Sequence, residues 1–141
     1  MTVQPKHDRM DVPVVILDGL RAALPGHEVA LDRDASYTPD RTMTVVQVPQ
    51  VRSAGRLPGN RWLFDCMLTL TTTGPSFSTA ADEADRVGDA VLSLTDVGDV
   101  LVSNVICDSE PVRMSPHDPT GAETLVQTFS LMVRRKGPSN G

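Results

Sequence analysis

Apolar positions along the chain recur with two different periods, and the change from one period to the other marks out the elements. In DVPVVILDGLRAALPG, residues 11 to 26, Val12, Ile16, Leu20 and Ala23, supported by Val15 and Leu24, fall on one face at helical spacing. Asp11 is placed to cap this helix, Pro13 sits in its first turn, and Pro25-Gly26 ends it. A second helix is predicted in SFSTAADEADRVGDAVLSL, where Ala80, Ala84, Val87, Val91 and Leu94 alternate steps of four and three. Thr79 and Asp82 have the spacing of a capping box, and the small residues Ala80, Ala84 and Gly88 would let the helix lie close on a sheet.

Between and after the helices the period falls to two. The clearest strand is RWLFDCMLTLTTT, residues 61 to 73, with Trp62, Phe64, Cys66, Leu68 and Leu70 on one face. Its 13 residues reach roughly 43 Å at about 3.3 Å each, beyond the usual strand, so something must support an overhang. Strand character also marks Glu28 to Asp32, Met43 to Val51, Val100 to Ser109 and Glu123 to Arg135. Pro49 lacks the donor of a central ladder and predicts an edge strand or a bulge. In the last strand Leu125, Phe129, Leu131 and Val133 share a face with Gln127 as its one polar member. RSAGRLPGN, residues 52 to 60, then reads as the tip of a hairpin that leaves the globule. The expected fold is α+β: a mainly antiparallel sheet, two helices packed on one face and a long protruding β-hairpin. It is expected as a single domain over 1–141, with residues 1–10 a loose arm and 136–141 a flexible tail.

Composition adjusts this picture. With 40% apolar but only 4% aromatic residues, the core must be built from Val, Leu and Ala rather than large rings. A net charge of −5 argues against a free-standing nucleic-acid binder, which usually carries a basic excess. Of the 13 basic residues 11 are Arg, whose fork suits ion pairs at a protein interface. Cys66 and Cys107 are far apart and lack a CxxC or a His at ligand spacing, so they read as buried free thiols. The longest apolar run, Val12 to Leu17, is too short for a membrane span, and no signal peptide is visible. The chain is expected to be made and kept in a cytoplasm.

Candidate chemistry concentrates in PVRMSPHDPTGAET, residues 111 to 124. Ser115, His117 and Asp118 carry the groups of a nucleophilic site, but neighbours in one proline-flanked loop seldom reach the geometry of nucleophile, base and orienting acid. His117 and Asp118 with Asp108 and Glu110 are the only clustered metal ligands, and alternating acids more often form a solvated strand face. No phosphate-binding glycine motif occurs. Pro116, Pro119 and Gly121 instead shape a turn that delivers the last strand. No catalytic, cofactor or metal residue is expected.

The order of DGLRAALPG, a hairpin ending in RWLFDCMLTLTTTG, the helix SFSTAADEADRVGDAVLSL and a terminal DPTGAETLVQTFSLMVRR resembles the tail terminator proteins of long-tailed bacteriophages (siphophages). The resemblance covers roughly residues 11 to 135 and rests on pattern. It implies a virion protein at the junction of tail and neck: a homo-oligomeric ring, usually a hexamer, that stops polymerisation of the tail tube. The major tail tube protein and a neck or stopper protein would be its partners. DNA would pass through the lumen without specific binding, which an acidic protein favours, and no membrane is involved. Arg52, Arg56, Arg61, Arg113, His117 and Asp118 are the candidate interface residues toward a neighbouring subunit or the tube. The alternatives are a neck stopper or other tail-completion protein and, from another class, a small cytoplasmic enzyme or ligand-binding domain using the His117–Asp118 loop.

Overall fold

The computed structural model describes residues 10–33, 36–58, 61–114 and 122–136. Within them the chain is α+β, with two helices and a six-stranded mixed sheet. In chain order the elements are α1 (Val12–Ala23), β1 (Val29–Ala30), β2 (Met43–Leu57), β3 (Arg61–Gly74), α2 (Phe77–Leu92), β4 (Asp96–Val97), β5 (Val100–Arg113) and β6 (Glu123–Arg135). The sheet order is β1-β2-β3-β6-β5-β4; β1 runs parallel to β2, and the other neighbours are antiparallel.

α1 forms where its cap and proline predict: the Asp11 carboxylate accepts from the Val14 N–H, and the proline occupies the first turn. Its buried stripe is Val12, Ile16, Leu17, Gly19 and Leu20. Ala23, expected on that stripe, is exposed, whereas Leu20 in the same turn is buried and Leu24 after it packs against the core. α2 starts earlier than Thr79: the Ser76 hydroxyl accepts from the Thr79 N–H at 3.2 Å, so Ser76 is the cap and Thr79 lies inside the first turn. The expected stripe Ala80, Ala84, Val87, Val91 and Leu94 is buried throughout.

Phe64, Cys66, Leu68 and Leu70 of β3 stand in register with Val133, Leu131, Phe129 and Gln127 of β6. All eight are buried, and Gln127 apart they join Val12, Ile16 and Leu20 of α1 and Val87 and Val91 of α2 in one core. Gln127 resolves its polarity by donating from Nε2 to the carbonyl of Ala84 at 2.8 Å, a buried bond that ties α2 to the sheet. Gly88 makes this approach possible, since a Cβ there would lie 2.7 Å from Gln127 Oε1. Met10, expected in the loose arm, packs against the core instead, and Lys136 is held by its N–H donating to the carbonyl of Asp99 at 2.7 Å. The rest of the arm and tail, residues 1–9 and 137–141, lies outside the described residues.

The strands run longer than their apolar patterns. β2 continues past Val51 to Leu57 and β5 past Ser109 to Arg113, because pairing with β3 and β6 carries polar residues into the ladder. Pro49 falls within the register shift between Gln47 and Gln50, the bulge that its missing donor predicts. A second shift holds Gly55 at φ 146°, a backbone region that side chains disfavour. At the Phe64–Val133 rung the sheet forks: β3 continues with β2 to the Leu57–Arg61 pair, while β6 continues with β5 to the Val100–Arg135 pair. The β2–β3 hairpin therefore leaves the body of the sheet, and its residues from Pro49 to Arg56 are all exposed.

Candidate functional site

The described members of the expected interface set do not form one patch. Arg52 and Arg56 lie on the exposed outer half of β2, and Arg61 opens β3 opposite Leu57. Arg113 ends β5 at the far end of the sheet, near the Gly74–Glu123 rung. His117 and Asp118, with Ser115, lie outside the described residues.

The arginines differ in what their own chain already asks of them. Arg52 donates from Nη2 to Oδ2 of its cross-strand neighbour Asp65 at 3.2 Å, with both side chains well exposed. Such a pair contributes little and leaves the guanidinium open to a second partner. Arg56 is exposed and has no ionic partner among the described residues. Arg113 is engaged twice: Nε and Nη2 grip the two oxygens of Glu123 at 3.0 and 2.7 Å, and the guanidinium lies 5.0 Å above the Phe77 ring. The Glu123 carboxylate raises the Arg113 pKa further above its ordinary value. This clamp joins the end of β5, the start of β6 and the first turn of α2.

Apolar exposure follows the same geography. Val51 on β2, and Ile106, Val112 and Met114 on or just beyond β5, are among the exposed large apolar residues. Among the described residues these strands have the least cover: β1 pairs with β2 at Thr44 and Val45, and β4 with β5 at Val100 and Leu101. Register shifts between Ser103 and Ile106, Cys107 and Ser109, and Ser109 and Val112 break up β5, and Asn104 takes a left-handed φ of 52° in the first.

One polar pair escapes sequence reasoning. His27, just after α1, places Nδ1 at 2.9 and 3.0 Å from the two oxygens of Glu83, a buried residue of α2. The partners are 56 positions apart, and only the unusual placement of a Glu beside the apolar stripe of α2 hints at a need. Next to it, Arg41 grips the Glu28 carboxylate and donates to the Ser36 carbonyl at 2.8 Å. The first pair fastens the segment after α1 to α2, and the second ties the connection before β2 to the residue that precedes β1.

For covalent or metal chemistry the described residues offer little. Burial, and then the Asp65 charge, push the Cys66 thiol up to about 12, so it stays protonated and unreactive near neutral pH. Asp108 and Glu110 are exposed on β5, where the Ser130 hydroxyl donates to Asp108. No group of three or more His, Cys, Asp or Glu suited to a metal ion occurs among the described residues. A groove of about 600 Å³ between α1 and the β4–β5 turn is lined by Asp11, Asp18, Asp96 and Asp99. Asp99 accepts from Arg135 at 2.8 Å, Asp96 lies 3.7 Å from the Lys136 ammonium and Asp11 caps α1, so three of these four acids are answered locally. No described helix is long and apolar enough to cross a membrane. A comparison of the chain with protein-family models and with curated proteins finds no match.

Proposed function

We propose that the chain is a structural protein of a long-tailed phage virion, a tail terminator that forms a ring on the last ring of the tail tube. The observation that carries this reading is a sheet whose two long outer strands, β2 and β5, are covered by the short β1 and β4 at only two rungs each among the described residues, together with a hairpin that forks away from the body. Open edges of this kind invite pairing unless a protein uses or blunts them, and a closed ring uses both on every copy. In this reading the fold is mainly antiparallel, both helices cover one face, and the β2–β3 hairpin projects toward a neighbouring copy or the tube.

The protein then acts by binding alone. It meets tube protein on one side and a neck protein on the other, and its acidic balance keeps DNA moving through the lumen without adhesion. It is made in the host cytoplasm and resides at the tail–neck junction.

Imaging of particles assembled without this protein tests the reading. The expected result is tails of uncontrolled length that fail to join heads. Tails of normal length with heads attached overturn it, and normal tails beside leaking, tailless heads point to a neck stopper instead.

A further inference from the structure

The two uncovered strand edges carry opposite charge. Residues 46–57 of β2 contain Arg52 and Arg56 and no acid. Residues 103–113 of β5 contain Asp108, Glu110 and Arg113, the last already gripped by Glu123. Arg52, Arg56, Asp108 and Glu110 are all exposed. An exposed apolar side chain accompanies each set, Val51 on β2 and Ile106 and Val112 on β5. Beyond the rungs capped by β1 and β4, no strand lies beside either stretch among the described residues.

We propose that the basic edge of β2 in one copy of this chain docks against the acidic edge of β5 in a second copy, head to tail. Charge complementarity selects the partner: two cations face two anions, whereas β2 against β2 or β5 against β5 sets like charges together. The strands' direction agrees, since β2 and β5 run antiparallel within the sheet and would meet antiparallel across such a joint. Pro49, Pro111 and the bulges interrupt a continuous ladder on both strands, which discourages indiscriminate strand addition and leaves recognition to side chains. The intrachain contacts do not compete strongly. Arg52 to Asp65 is an exposed pair, and Asp108 has acceptor sites beyond the one that Ser130 occupies.

The biological setting of this joint rests on the ring reading above, and sedimentation of the purified full chain tests the joint by itself. The wild-type protein is expected to self-associate, more weakly as salt rises. The double variants Arg52→Glu/Arg56→Glu and Asp108→Arg/Glu110→Arg are each expected to associate at least about tenfold more weakly. An equimolar mixture of the two should recover association, because each variant's altered edge then complements the other's. Circular dichroism confirms folding, and Arg52→Ala/Arg56→Ala replaces the first variant should it fail to fold. A wild type that stays monomeric up to about 1 mM, the range of a very weak contact, overturns the joint. So does association indifferent to both reversals, or a mixture that does not recover. Overlong tails in particles lacking the protein, combined with any of these, discard the joint and keep the terminator reading. Rescue by the mixture alongside normal tails does the reverse.

Discussion

At the scale of single residues, the contact between α2 and the sheet turns on Gly88. An added methyl would meet Gln127 Oε1 at 2.7 Å, and that amide is already fixed by its bond to the Ala84 carbonyl. Gly88→Ala is therefore expected to destabilise by about 1–3 kcal/mol, the usual range for overpacking. Urea unfolding measures it, and Gln127→Ala in the same chain should make the two changes non-additive by at least about 0.5 kcal/mol. Cys66 gives a second expectation. Its folded-state pKa of about 12 exceeds the ordinary 9.0, so the folded state holds the proton more tightly. Stability is fully present below pH 9.0 and falls as pH rises from there toward about 12. Cys66→Ala should flatten that alkaline slope in denaturation curves recorded between these limits, and an unchanged slope would assign it to other groups. Gln127 was visible in the sequence as the odd polar member of an apolar face, but its reason was not, because its partner is a main-chain carbonyl on another element.

At the scale of elements, start signals were more legible than extents. Asp11 and the proline after it define α1 locally, and the structure keeps them. For α2 the acid spacing at Thr79 and Asp82 competes with Ser76, and Ser76 wins because the helix can then include Phe77, whose ring the Arg113 guanidinium covers. Ser76→Ala should cost about 1 kcal/mol in chemical denaturation, and Thr79→Ala clearly less. Equal losses would restore Thr79 as a cap. Strand ends escaped because the residues from Arg52 to Leu57 have no apolar alternation; they are strand only through pairing with β3. Pro49 is the counterexample, where chain chemistry alone predicted the bulge. That the arginines proposed for an interface lie in two separate places is not legible in the sequence, since the distance between Arg113 and the hairpin depends on how β3 and β6 lie side by side.

At the scale of the whole molecule, one detail of the sheet has a mechanical consequence. Arg52 faces Asp65, which faces Met132 of β6, and Arg56 faces Trp62 farther out on β3; Asp108 lies between residues that face Phe129 and Thr128, and Glu110 between residues that face Thr128 and Val126. Bringing the two cations onto the two anions thus requires an offset of about five to six residues along β6, roughly 17–20 Å at about 3.3 Å per residue. Copies joined with upright strands would climb by that amount at every joint and trace a filament, like a spiral stair. Closure instead requires the strands to lean, as in any barrel whose register is staggered. Across four strands spanning about 20 Å, the offset corresponds to a lean of roughly 40–45°. Averaged images of a closed ring should show strands inclined by about this angle to its axis. Upright strands in a closed ring would mean that the copies meet elsewhere. Once such a ring closed, both edges of every copy would be occupied and no edge would remain for a further copy.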